Sequence, residues 1–450
     1  MTTTSLPAGP RLPRSVQAAL MLGCGPWYIN ACRRHYGPTF TLRVASMGTL
    51  VYLTDPADIK TVFAGDPRIY HAGEANSILK GLLGDSSVLV VDGDVHRDLR
   101  RLMLAPFAHN AVASQTDLIA QIAADNIAGW PVGESFPAAP KMSEITLEVI
   151  LRTVIGSSDP DRLAALRDVL PRVLRITPFE TLAVANPKLM QRRPWRSLRT
   201  AIAEADRLLY AEIADHRADP DLASRTDALA MLVRAADEDG RTMTDRELRD
   251  QLITLLLAGH DTTATGLSWA LERLTRHPEV LAKAVRAAQQ GDGLIAPHVR
   301  GDEYLDAVAK ETLRVRTIVF DVGRILQEPV ELAGHLLPAG VMVVPGIVAV
   351  HTDPRLYPNP ERFDPDRMLG ATLSPTTYLP FGGGNRRCLG AAFAMVEFQV
   401  VLREILRRVE LETTSARDER RRLKHVIFVP HHGARIRVRA RRATTTRRSA

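Results

Sequence analysis

Cysteine is scarce in this chain. Among 450 residues there are three, Cys24, Cys32 and Cys388. So small and odd a set excludes a disulfide framework and fits a reducing compartment. It also leaves no second cysteine cluster for an iron–sulfur centre. Long apolar runs are missing as well. The most apolar N-terminal stretch, Val16 to Leu22, lies between Pro7, Pro10, Pro13 and Gly23, Gly25, Pro26. It falls far below the roughly 20 residues a spanning helix needs. With no small-residue cleavage site after it, the expectation is a soluble cytoplasmic protein without a membrane span. No Gly-x-Gly-x-x-Gly follows a strand-like run, so no nucleotide cofactor is expected on this chain. Acid is absent from residues 435–450, which hold Arg435, Arg437, Arg439, Arg441, Arg442, Arg447 and Arg448. That tail accounts for the net charge of +7. The body is neutral, so a pI near 9.5 gives no argument for nucleic acid.

What is present describes a globular protein, 45% hydrophobic with mean hydropathy −0.07. Length alone suggests two or three domains. Yet no repeat or linker divides the chain, so one large, mainly α domain with a minor β region is expected. Thr39–Val44 and Leu50–Leu53 read as a hairpin pair with Gly48 near the turn. Helical periodicity dominates from Ala111 to about Lys283. Strands and turns follow from Gly323 to Val344, then a proline-rich stretch from Asp353 to Pro380. A helix runs from Cys388 to about Arg408, and strand-like runs near Val426–Val429 and Arg435–Val438 close the chain. The divisions expected are 1–37, an extension with a first short helix, 38–438, the main domain, and 439–450, a basic tail.

Chemistry concentrates at Phe381-Gly382-Gly383-Gly384-Asn385-Arg386-Arg387-Cys388-Leu389-Gly390. One cysteine stands at the mouth of a helix, behind three glycines and beside two arginines. A helix start and nearby cations lower a thiol pKa, and the thiolate is the metal-binding form. Glycines let the backbone approach a flat ligand where a Cβ would collide. Arg386 offers a planar fork of donors to a carboxylate. Taken alone, the same cysteine reads first as a buried structural one.

Upstream, Thr244-Asp245-Arg246-Glu247 is a capping box and predicts a long helix. Leu252 to Leu257 is apolar on most sides, so the helix is buried. Its middle reads Ala258-Gly259-His260-Asp261-Thr262-Thr263. Polar groups there are costly unless used, and Gly259 costs about 1 kcal/mol relative to alanine. The expected return is space beside Ala258 and Gly259 for a ligand, with Thr262 bonded one turn back. A kink with a satisfied Asp–Thr pair is the alternative.

Every fixed position of the cysteine segment, Phe381, Gly384, Arg386, Cys388 and Gly390, resembles the haem-binding loop of the cytochrome P450 family. Ala258 to Thr263 resembles that family's oxygen-binding motif, and the resemblance spans roughly residues 38–438. It implies a P450 fold with haem b, Cys388 as axial ligand of the iron, and Phe381, Gly382, Gly384, Gly390, Ala258 and Gly259 lining the cofactor. Asp261 and Thr262 would be the catalytic acid–alcohol pair that relays protons to the oxygen side. Cations at family-matched places, His96, Arg100, Arg324 and Arg386, would hold the propionates. Histidine at the first of these is common in bacterial-type relatives. Glu311-Thr312-Leu313-Arg314 resembles the Glu-x-x-Arg pair, with Arg367 as its third member, although Pro360-Glu361-Arg362-Phe363 matches the family's letters better. Relatives often carry a proline after that helix, and Val315 to Phe320 has none.

The implied reaction is monooxygenation of a hydrophobic small molecule, with O2 as co-substrate. Electrons would come from a separate ferredoxin or flavodoxin and its reductase, so NAD(P)H acts only indirectly. Arg97, Arg101 and Arg387 would face that acidic partner or simply be solvated. Pocket walls by family position are Ile78, Leu79, Leu82, Leu83, Leu255, Ile318, Val319, Phe320, Ile427 and Phe428, and a monomer is expected. Two alternatives stay open: a peroxide-driven peroxygenase or isomerase, and a haem-based sensor or ligand-binding protein.

Overall fold

The computed structural model describes residues 5–442 except 46, 175–179, 181–182, 185–186, 291–302 and 425. Residues 443–450, most of the expected basic tail, lie outside the described residues.

The helical part is built on α1 (Arg14–Tyr36), α2 (Gly93–Leu102), α3 (Thr116–Ala128), α4 (Ala138–Ile150), α5 (Arg196–Ala218), α6 (Asp245–Arg276), α7 (Pro278–Gln290), α8 (Glu303–Val315) and α9 (Ala391–Arg408). The capping box forms: the Glu247 N–H donates to Thr244 Oγ1 at 3.2 Å and the Thr244 N–H donates to Glu247 Oε2 at 2.8 Å. From this cap α6 runs 32 residues. The expected short first helix is longer than foreseen, 23 residues, and bends at Cys24, two residues before Pro26.

Strands are β1 (Thr39–Val44), β2 (Gly48–Leu53), β3 (Tyr70–His71), β4 (Ser135–Pro137), β5 (Arg324–Leu326), β6 (Val330–Leu332), β7 (His335–Leu337), β8 (Met342–Pro345), β9 (Val409–Leu411), β10 (Arg421–Lys424), β11 (Ile427–Pro430) and β12 (Arg435–Arg441). They form a five-stranded sheet β1-β2-β8-β5-β3, a three-stranded sheet β4-β12-β9, and the two ribbons β6-β7 and β10-β11. Gly48 turns the first hairpin at φ 82°, a conformation that suits a residue without Cβ. Strand β12 extends through residues 439–441, so these belong to the sheet rather than to a tail.

Two apolar cores meet along α6. Leu248, Leu252, Ile253 and Leu256 join a core with α5, the Leu82–Met103 region and the end of α4. Ala264, Leu267, Leu271 and Leu274 join a second core with α3, α7, α8 and α9. The five residues from Ala258 to Thr262 belong to neither, and there, the buried His260 apart, the helix regains exposure, with Ala258 exposed and Gly259, Asp261 and Thr262 half-buried. Interior surface on a helix buried at both ends is where the fold leaves room for chemistry.

Candidate functional site

The cysteine loop is built by close approach. A Cβ on Gly383 would meet the Phe63 ring at 2.3 Å, and one on Gly384 would meet the Phe63 carbonyl oxygen at 2.2 Å. These two glycines are therefore required where the loop packs on the Pro56–Ala64 helix, a demand the sequence did not reveal. Gly382 differs: it sits at φ 64° with only Val322 as near as 4.0 Å. The Cys388 N–H donates to the Phe381 carbonyl at 2.9 Å and closes the loop. α9 starts at Ala391 with Gly390 as N-cap, whose carbonyl accepts from Ala394 N–H at 2.8 Å.

Cys388 is exposed by area, yet protein surrounds it deeply enough for burial to push its thiol up. The Gly390 N–H and the Arg100 and Arg387 guanidinium groups pull it down but do not prevail. Desolvation here opposes the pull of the helix start and the two cations. A coordinated metal deprotonates such a thiol outright.

Beside the loop lies a cluster of positive charge. Arg386 donates to Val88 O at 3.0 Å, Val91 O at 2.5 Å and Asp92 Oδ1 at 2.5 Å. Arg100 donates to the Arg387 carbonyl at 2.7 Å. Arg324, buried on β5, donates to its neighbour Gly323 O at 2.8 Å. Burial first and then mutual repulsion lower Arg324 to about 10, while burial and Arg100 lower Arg386 to about 10 against the opposing pull of Asp92. Desolvation, Arg386 and Arg100 push His96 down to about 3. With that low pKa the His96 ring is neutral among the three guanidinium groups. Three guanidinium groups face one carboxylate, Asp92, and uncompensated buried charge of this kind calls for an anionic ligand.

On α6 the Thr262 hydroxyl donates to Ala258 O at 2.6 Å, one turn back. A Cβ on Gly259 would lie 2.6 Å from Ile150 Cδ1, the far end of a flexible side chain, so this glycine eases the packing of α6 on α4. The exposed residue of the pair is Ala258. Asp261 Oδ2 accepts from the Lys424 ammonium at 2.7 Å, a partner that no motif announces. His260 is buried and held by Thr146 (2.9 Å to Nδ1) and Ser143 (3.2 Å to Nε2) on α4.

The remaining walls divide. Ile78 is exposed, and Leu79, Leu255, Ile318, Val319 and Phe320 keep partial exposure. Leu82 and Leu83 are 2% and 0% exposed and pack into the core, so they are removed from the wall. Ile427 and Phe428 stand behind it: Val319 bridges Ile427, the Phe428 N–H donates to Ile318 O at 2.8 Å, and Phe428 packs on Phe320 at 5.3 Å. This pairing sets the path of the stretch that lacks a proline.

The braces sit behind the loop. Arg314 donates to both Glu311 oxygens at 2.8 Å, with both side chains fully buried. Arg367 Nε lies 3.1 Å from Glu311 Oε1, whereas Arg362 supplies only its carbonyl, 3.3 Å from Arg314 Nη2. Arg314 also donates to His351 O and Pro360 O at 2.8 Å. His351 was not singled out from the sequence. Its Nε2 accepts from Leu379 N–H at 2.9 Å and its Nδ1 meets Thr317 Oγ1 at 2.9 Å, joining the end of α8 to the approach of the cysteine loop.

The cytochrome P450 family model matches residues 8–437. The chain belongs to the cytochrome P450 family. It is 71% identical over 441 residues to the Mycobacterium tuberculosis protein named cytochrome P450 135B1, covering 98% of this chain and 93% of that protein. It is 40% identical over 438 residues to cytochrome P450 135A1 of the same organism, covering 97% and 96%. Among solved structures, retinoic acid-bound cyanobacterial CYP120A1 superposes with TM-score 0.82 at 23% identity, over 97% of this chain and 99% of that one. The haem domain of cytochrome P450DA gives 0.80 at 23% identity, over 97% and 98%. P450s are haem-thiolate monooxygenases that use O2 and reductase-derived electrons, and membership carries this general chemistry to the chain.

The residues of this P450 fit the cofactor. A cysteine with free area stands at the start of α9, and a group of guanidiniums with excess charge stands beside it for carboxylates. Two further site residues escaped the sequence. Asp92 accepts from Gly73 and Glu74 N–H at 2.8 Å besides holding Arg386, and only its place before α2 hinted at a role. Glu397 on α9 is buried against Thr263, and burial lifts its carboxyl to about 8. Nothing in its surroundings in sequence marks it.

Proposed function

We propose that this P450 inserts one atom of O2 into a C–H or C=C bond of a hydrophobic small molecule, using electrons from a separate ferredoxin or flavodoxin and its NAD(P)H-dependent reductase. The observation that carries the reading is the gap between the two cores along α6, where Asp261 and Thr262 keep exposed area in an otherwise buried helix. Peroxide-driven relatives often lose the acid–alcohol pair, so Asp261 and Thr262 speak against that alternative.

Cys388 Sγ would hold the haem iron, and Arg100, Arg324, Arg386 and the neutral His96 would receive its carboxylates. The haem supplies the dioxygen chemistry, and thiolate ligation favours O–O cleavage. Ala258 leaves room against the helix. Thr262 Oγ1 orders water, and the Asp261 carboxyl passes a proton to it. Leu255 and Ile318 to Phe320 exclude bulk water and suit an apolar substrate such as a lipid, steroid, terpene or polyketide. Among the arginines expected to meet an acidic partner, Arg97 pairs with Asp94 at 2.7 Å and Arg101 with Glu238 at 2.5 Å. Arg387 is exposed and is the best placed of the three to attract a redox protein. Among the described residues no helix is long and apolar enough to cross a membrane.

The test is the reduced carbon monoxide difference spectrum, with a band near 450 nm for thiolate ligation. Cys388→His should keep part of the haem and lose the band, and survival of the band would remove Cys388 as ligand. Turnover with peroxide alone, compared with turnover driven by a redox partner, separates the peroxygenase alternative. Substrates are then found by spin-state shift.

A further inference from the structure

Residues 86–92 run between α6 and the cysteine loop, and side chains hold them from both sides. From α6, Gln251 Nε2 donates to Ser86 O at 2.6 Å, and Gln251 Oε1 accepts from Val88 N–H at 3.0 Å. Asp250 Oδ2 accepts from Ser86 N–H at 3.0 Å, and the Ser87 and Thr254 hydroxyls meet at 2.7 Å. From the cysteine loop, Arg386 donates to Val88 O at 3.0 Å and to Val91 O at 2.5 Å. Val88 is thus gripped at its N–H by the long helix and at its carbonyl by the cation two residues before Cys388. Gln251 is fully buried, and both ends of its amide are in use. It supplies the segment with the donor and acceptor that a neighbouring strand would otherwise bring. A side chain must carry both to do this, and an aliphatic one carries neither.

Resting on the assignment of Arg386 to a cofactor carboxylate, we infer that Gln251 is a positioning residue for that cation. It fixes the 86–92 segment, and the carbonyls of that segment aim the Arg386 guanidinium. Two of the three acceptors of Arg386, Val88 O and Val91 O, are backbone groups of the segment, and the third, Asp92 Oδ1, ends it. A shift of the segment therefore moves the guanidinium. The charged residues that flank Gln251 are engaged elsewhere: Arg249 donates to Asp206 at 2.7 Å and to Asp250 at 3.0 Å, and Asp250 holds Ser86. The amide is left as the neutral member of this seam and the one that reaches Val88. A cation held close to a redox centre favours the reduced state, which carries one more negative charge. The posture of Arg386 is thus readable as a redox equilibrium.

The experiment uses the haem-loaded protein without substrate and its Gln251→Leu, Gln251→Glu and Arg386→Leu variants, together with the Gln251→Leu, Arg386→Leu double variant. Gln251→Met, flexible and of similar length, replaces leucine if that variant does not retain haem. The quantity read is the ratio of reduced to oxidised haem at the midpoint potential of the parent. Gln251→Leu should lower it about threefold or more, and Arg386→Leu at least as much. In the double variant the Gln251 substitution should add nothing, because both changes act through one cation. Effects that multiply independently would overturn the inference. So would a parent-like ratio in Gln251→Leu, even with a lowered melting temperature, since Gln251 would then only stabilise the fold. Gln251→Glu is the conservative rescue. A buried carboxyl that keeps its proton can accept from Val88 N–H and donate to Ser86 O. At about pH 5.5 its ratio should equal that of the parent at the same pH, and a ratio as low as that of Gln251→Leu would count against the inference. A parent-like ratio in Arg386→Leu is a different failure: it would remove Arg386 from the cofactor carboxylates, and the proposal with it.

Discussion

Arg386 and Asp92 meet at 2.5 Å and tie the cysteine loop to the start of α2. The same carboxylate accepts the Gly73 and Glu74 N–H groups. One acid thus gives a counter-charge to a cation two residues from the proposed iron ligand, which otherwise has only the Val88 and Val91 carbonyls, and it leaves Arg100 and Arg324 for the carboxylates of a cofactor.

Asp92→Asn should loosen that tie. Each hydrogen bond to a charged group contributes about 1.5–3 kcal/mol, so we expect about 2 kcal/mol of lost stability. Thermal unfolding would record it, together with faster haem loss to an acceptor protein. An unchanged melting temperature and haem retention would show that the loop is held elsewhere.

Glu311→Gln should be more severe. Breaking a fully buried pair leaves an uncompensated charge and costs about 3–5 kcal/mol. Arg314 would then lose its counter-charge and keep the His351, Pro360 and Arg362 carbonyls and the Tyr357 ring. Denaturant unfolding checks the magnitude. A loss below about 1 kcal/mol, the range of surface pairs, would contradict the bracing role.

Thr262→Ala removes the hydroxyl proposed to order water. Substrate should still shift the spin state, while NADPH consumption continues with peroxide released in place of product. A fall in coupling of about tenfold or more is expected, since positioned proton transfer contributes about 10²–10⁴-fold. Peroxide and product assays decide it, and parent-like coupling would exclude Thr262 from proton delivery.

Glu397→Gln is a test by pH. Burial raises the folded carboxyl from 4.5 to about 8, so the folded state holds its proton the more tightly. That contribution is fully present below 4.5 and is lost as pH rises towards about 8. Glutamine cannot ionise. The variant should therefore gain on the parent across that window, by up to a few kcal/mol, in unfolding curves taken from pH 5 to 8. A constant difference would mean that the carboxyl is solvated.

Much of this was legible locally. The capping box at Thr244, the glycines before Cys388 and the Glu311–Arg314 spacing concern residues within a few positions of one another, where helix and loop geometry follow from covalent structure. The choice of Arg367 over Arg362 was also readable from order along the chain, and the structure places the Arg367 side chain against Glu311. The reasons for individual glycines were not readable. Gly259 answers to Ile150 and Gly384 to Phe63, each more than 100 residues away. His96 shows the same limit, because its neutrality follows from burial and from Arg386 and Arg100.

By itself the sequence determined the family, the cysteine proposed as ligand and the mainly α domain, because these rest on contiguous motifs and on periodicity, which need no knowledge of what packs against what. Tertiary structure alone decided which charges are compensated and where each acid points: Asp261 towards Lys424, Arg386 towards Asp92, Glu397 into the interior. Coulomb energy and desolvation depend on distance and burial in space, and a linear order of residues contains neither.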